Sequence, residues 1–159
     1  MFSPLQLQQM AMSDYEHAQS KARKRHLTAL LLRRRTDLLS LDSILNCLST
    51  NGQHSIGLVT VAVEKIIGTV NRNQDFDNEF WPRREATTMH RWISIVKAFY
   101  LGQHLPPIEL RKVGEAYFVV DGHHRVSVAR QQGQMFIDAY VTELDAHEEE
   151  LKKLGIAGA

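Results

Sequence analysis

Tyr117-Phe118-Val119-Val120-Asp121-Gly122-His123-His124-Arg125-Val126-Ser127-Val128-Ala129-Arg130-Gln131-Gln132-Gly133 changes its character midway, and that change decides how the chain is read. The apolar run 117–120 reads as a buried strand, 126–132 as a short helix, and Gly133 as its stop. Between them lies a tight polar turn. A strand that enters a helix through glycine is a ready anion site: the first helical N–H groups lack intrahelical partners, the dipole end is positive, and glycine admits a close approach. Arg125 adds a permanent charge on a planar donor fork. His123 and His124 add donors that titrate near neutral pH. Asp121 is placed to orient a histidine, hold magnesium or accept a proton. The plainer reading is a polar turn with Asp121 as N-cap and two surface histidines.

Working outward, Ile108–Val113 reads as a strand paired to 117–120 through Gly114-Glu115, and Pro106-Pro107 forces extended chain before it. Upstream, Met89, Trp92, Ile93, Val96 and Phe99 or Tyr100 stripe a helix over 87–100, with Gly102 as its C′ residue. Residues 71–84 read as a polar loop carrying aromatics. Val59, Val61 and Val63 alternate with Thr60 and Ala62 as a strand. By composition, 49–57 is a linker. Ser40 reads as the N-cap of a short helix over 41–48, and a first long helix runs from Leu5 or Ser13 to Arg35. Phe136–Thr142 is the last strand and 148–154 a frayed helix. The expected fold class is α+β: a small mixed sheet with packed helices, preceded by an α-helical N-terminal arm. The expected division is an arm over 1–50, a domain over 57–142 and an acidic helical tail over 143–159.

Lys and Arg number 19 against 18 acids, so net charge does not select a partner, but its distribution is uneven. Lys21, Arg23, Lys24, Arg25, Arg33, Arg34 and Arg35 lie in a window without an acid. Such a window suits DNA phosphates, or is an exposed face that pairs with the acidic tail or a partner. Leu30, Leu31 and Leu32 with Leu38 and Leu39 exceed what one helix face needs, a hint of a homo-oligomer. The single cysteine, Cys47, excludes a disulfide framework and a Cys-rich zinc site, and its apolar neighbours read it as a small buried hydrophobe. His54, His90, His104 and His147 show no metal-ligand spacing, and no metal site is assigned. No apolar run approaches the roughly 18 residues of a membrane span, and residues 1–6 do not open a signal peptide. A cytoplasmic protein without membrane contact is expected.

Leu105-Pro106-Pro107-Ile108, the strand 117–120, the Asp-Gly-His-His-Arg turn, the helix with Ala129, Gly133 and a strand ending in Val141 together resemble the ParB/sulfiredoxin superfamily. With 59–67 as the first strand, the resemblance covers residues 57–142. It implies that Gly122, His123, His124 and Arg125 grip nucleotide phosphates, with Arg72 after the first strand as a further contact. A sulfiredoxin carries its catalytic cysteine directly after the glycine, where this chain has His123, so that chemistry is excluded. The turn is similar to that of the superfamily's free-serine kinases, which place a glutamate after the first strand; residues 68–72 hold no carboxylate.

The expected function is a nucleotide- or phosphate-binding module, regulatory or DNA-associated, taking ATP, ADP or CTP with or without Mg2+. Its ligand state would control the helical arm. The alternatives are a small-molecule phosphotransferase or a phosphodiester-cleaving nuclease, with Asp121 or His124 as catalytic base, and plain DNA or partner binding through 21–35. Asp75, Asp77 and Glu79 either join Asp121 around magnesium or form a solvated loop. Trp81 either packs the loop or stacks on a base.

Overall fold

The computed structural model describes residues 1–71, 73–83 and 85–158. In chain order the elements are α1 (Pro4–Leu31), β1 (Leu39–Ser40), α2 (Leu41–Leu45), β2 (Thr50–Ala62), a 3-10 turn (Val63–Lys65), β3 (Ile66–Thr69), α3 (Glu85–Tyr100), β4 (Ile108–Val113), β5 (Ala116–Asp121), α4 (His123–Gln131), β6 (Phe136–Ala146) and α5 (Glu148–Lys153). The fold class is α+β, as expected. No described helix is long and apolar enough to cross a membrane. The chain divides into two compact units, one of Met1–Leu38, Gln74–Pro106 and His123–Gln134, the other of Leu39–Asn73, Pro107–Gly122 and Met135–Ala159.

The first unit is helical. Ser3 and Gln6 close a capping box at the start of α1: the Ser3 hydroxyl accepts from the Gln6 amide at 3.2 Å, and the Gln6 side chain accepts from the Ser3 amide at 2.9 Å. Leu7, Ala11, Tyr15, Ala18, Ala22 and Ala29 form the buried stripe of α1. Mostly alanine, this stripe lets a neighbour approach closely. α3 does so, with Tyr15 meeting Trp92 edge-on at 5.5 Å between ring centroids. Trp92 is fully buried, and its indole N–H donates to Ser127 of α4 at 2.8 Å. Asp14 of α1 accepts from Gln132 at 2.9 Å and from the Tyr100 hydroxyl.

α1 ends at Leu31, not Arg35. Arg33 takes the left-handed conformation with φ 53°, and the Arg34 amide donates back to the Ala29 carbonyl at 2.8 Å. That six-to-one bond is a Schellman stop, formed here on arginine instead of glycine. Gly102 and Gly133 stop α3 and α4 in the same way, with φ 65° and 68°.

The second unit is a six-stranded sheet in the order β1-β3-β5-β4-β6-β2. β4 pairs antiparallel with β5, as the hairpin reading anticipates, and parallel with β6. β3 pairs parallel with both β1 and β5. The core on one side is Leu41, Val113, Ala116, Phe118 and Leu151. Gly68 of β3 is required by close approach: a Cβ there would lie 2.2 Å from the Leu39 carbonyl and 2.7 Å from the Phe118 ring.

Three sequence expectations change here. The stretch 49–57 is not a linker; it supplies the first half of β2, laddered antiparallel to β6 from Thr50↔Ala146 to Ala62↔Phe136. It carries no alternation because residues 50–56 are all exposed, and Gly52 and Gly57 sit where the register is irregular. Likewise 59–67 is not one strand. The 3-10 turn at Val63–Lys65 separates β2, paired to β6, from β3, paired to β5. Cys47 is exposed and not buried, because α2 is a five-residue helix that buries only Leu41.

Candidate functional site

β5 ends at Asp121, Gly122 turns the chain with φ 114°, and α4 begins at His123. A side chain is strained at that φ, so the turn needs its glycine. Asp121 is exposed, while Gly122, His123, His124 and Arg125 are half-buried and therefore not sealed in a core. The residues that follow, Val126 to Ala129, are buried and fix the helix.

His124 is the most perturbed of these groups. Burial pushes its imidazole below the ordinary value near 6.5, the Arg91 guanidinium pushes the same way, and Asp75 opposes them. Both of the larger influences favour the neutral ring. Its Nε2 is buried and finds no hydrogen-bond partner among the described residues. A buried polar atom left in that state costs about 1–3 kcal/mol unless a ligand or water completes it. Arg125 is anchored, its Nη1 donating to the Pro106 carbonyl at 2.6 Å, which holds part of the fork in place.

The loop 74–83 supplies a wall that sequence reading leaves unassigned. Phe76 and Phe80 are fully buried despite their polar neighbours. Phe76 lies edge-on to His124 at 5.1 Å and parallel to His123 at 6.4 Å, and Phe80 is tilted against His123 at 6.4 Å. Arg130 stands over the Phe80 ring at 5.7 Å. Phe80 itself has φ 64°, a left-handed backbone that a bulky residue rarely adopts. The one available signal was the presence of two phenylalanines in an otherwise polar stretch.

Two of the three acids of that loop are engaged by the protein itself. Asp77 is buried; one of its oxygens accepts from the Glu79 and Trp81 amides at 2.9 and 3.0 Å, and the other from Arg25 at 3.1 Å. Glu79 pairs with Arg25 at 3.0 Å. Asp77 is thus a structural brace, and Arg25 is withdrawn from the basic window. Trp81 packs: Lys21 sits 4.3 Å from its ring centroid and also donates to Gln131 at 3.1 Å. Arg34 and Arg35 remain exposed and make no side-chain hydrogen bond or ion pair among the described residues. Arg72 lies outside the described residues.

The ladder between β2 and β6 gathers His54, Glu143 and Asp145, whose ligand atoms lie within 4.8 Å of one another. Their distance along the chain hides this in the sequence. The group is already balanced, His54 pairing with Asp145 at 3.0 Å and Lys112 with Glu143 at 3.1 Å.

No family model matches this chain, and no curated protein matches it.

Proposed function

We propose that the turn Asp121–Arg125 binds the phosphate of a nucleotide or related small molecule, and that the protein is a ligand-responsive module of ParB-like type. The observation that supports this reading is the turn itself: Gly122 at φ 114° opens α4, and His123, His124 and Arg125 stand half-buried in its first turn. Gly122 clears the approach, and Arg125, steadied by Pro106, supplies the charge. ADP, ATP or CTP are the expected ligands, with magnesium bridging phosphates where Asp121 is in reach. Phe76 and Phe80 are buried, so they stiffen the histidines and do not serve as a stacking surface for a base.

The packing of α4 supports the responsive part. Ligand contacts fall in its first turn, while Gln131 and Gln132 at its far end hold Lys21 and Asp14 of α1. A ligand that reorients α4 therefore acts on α1 through direct hydrogen bonds. DNA association of that helix belongs to the same proposal.

An enzyme reading has one observation in its favour: a histidine whose burial favours the neutral ring is ready to accept a proton. In that reading His124 or Asp121 takes the proton of an attacking hydroxyl during phosphoryl transfer. Transfer of a labelled γ-phosphate from ATP to a hydroxyl-bearing acceptor, with release of ADP, that is lost in Asp121→Asn or in His124→Asn would establish it.

The deciding experiment is a thermal-shift series with ADP, ATP and CTP, with and without magnesium, on the wild type, Arg125→Ala and His124→Asn. Ligand at a hundredfold over Kd stabilises by about 2.7 kcal/mol, a readily seen rise in Tm. Both variants should lose that rise while folding with the wild-type circular dichroism. A nucleotide response that survives both substitutions would sink the reading, as would no response to any nucleotide.

A further inference from the structure

The end of α1 carries a cavity. It measures about 510 Å³, and its polar lining includes Arg23, His26, Arg34, Arg35, Arg83 and Asp37. Among the described lining residues there are four guanidiniums and one carboxylate; Arg83 donates to Asp37 at 2.7 Å and to Thr36 at 2.6 Å, and Arg23 to Gln19 at 2.9 Å. Arg34 and Arg35 have no such partner among the described residues. A smaller hollow of about 340 Å³ lies alongside and shares Arg34, Arg35 and Thr36, adding Lys24. The unfavourable carbonyl end of α1 is muted there, because the Leu32, Arg33 and Arg34 amides cap the last carbonyls.

We propose that this cleft binds a small organic anion bearing two or more phosphate groups. Arg34 and Arg35 supply two guanidiniums without an ion-pair partner among the described residues, and Arg23 and the Asp37-paired Arg83 line the same space from two other stretches of chain, an arrangement that suits more than one anionic group. Guanidinium forks suit phosphate oxygens. Ala22, Ala29 and Leu30 give the cavity an apolar wall for an organic body. The volume falls within the usual range of small-ligand sites, roughly 300–1,000 Å³. No Phe, Tyr or Trp lines the cleft among the described residues, which leaves His26 as its one ring and favours a compact anion over a stacked nucleic-acid strand.

The test is calorimetric titration of inorganic tripolyphosphate into the whole protein. The variants are Arg34→Ala with Arg35→Ala, Arg125→Ala, and a charge control, Lys152→Ala with Lys153→Ala. Both arginine side chains are exposed, and Arg34 caps α1 through its amide, which alanine keeps. The fold should survive, with Tm as the check. Binding at one site should weaken about tenfold or more in the arginine pair, the loss of roughly one charge-assisted contact or more, and stay unchanged in Arg125→Ala and in the lysine pair. If a second site appears and vanishes only in Arg125→Ala, that one is the turn, and the cleft assignment stands beside it. Equal weakening in the lysine pair would overturn the proposal as unspecific charge attraction. So would binding that the arginine pair leaves intact. Duplex DNA that binds more tightly than tripolyphosphate and loses its salt dependence in the arginine pair would overturn it in favour of nucleic acid.

Discussion

The turn 121–125 and the loop 74–83 both bend through left-handed backbone, but with opposite residues. The turn uses Gly122 at φ 114°, and the loop uses Phe80 at φ 64°. Where open space is the need, the chain has removed the side chain. Where a wall is the need, it tolerates backbone strain to keep a large ring fully buried beside His123. The lesson is that the chemically plain loop is the more heavily constrained of the two, because strain persists only where surrounding packing holds it.

The largest test of this contrast is Phe80→Ala, which should destabilise by about 3–5 kcal/mol in urea unfolding, the cost of emptying a buried aromatic site. Phe80→Gly sharpens it: glycine relieves the left-handed strain and should prove about 1–2 kcal/mol more stable than the alanine variant, against the usual order. If alanine is the better of the two, the loop is not strained and the comparison breaks. On the turn, Gly122→Ala should cost about 1–3 kcal/mol, less than Phe80→Ala, and should reduce nucleotide response further by crowding the approach.

The pH dependence separates the two regions again. Because burial lowers the His124 pKa, the unfolded chain binds the proton first as pH falls below about 6.5. His124 therefore leaves stability intact above that value and subtracts from it as pH falls toward the folded-state pKa. His124→Asn should flatten the decline of Cm over that acid window. An unchanged slope would mean that the ring is solvated. The smallest expected effect lies at Arg33, which with Phe80 is left-handed without being glycine. Arg33→Gly should stabilise by about 1 kcal/mol, since glycine suits the helix stop without the Cβ clash.

Local chemistry was legible. Gly102, Gly114 and Gly133 marked stops and a hairpin, and the switch from 117–120 to 126–132 marked strand and helix, because each signal lies within a few residues. What sequence left unread depends on distant partners. The strand character of 50–57 exists only through its ladder with β6. Asp77 looks like a loop acid until Arg25 and two amides close around it. The aromatic wall and the isolation of His124 Nε2 arise when the loop and α4 pack together, which no spacing encodes.

The outer rim of β2 has a consequence for behaviour in concentrated solution. Thirteen residues long, it leaves one flank of the sheet without a neighbour. Its register breaks near Gly52 and Gly57 kink the row of amides and carbonyls that an incoming strand would need. Straightening those kinks would turn a quiet border into a template for fibre growth, although Ile56 and Leu58 are already exposed upon it.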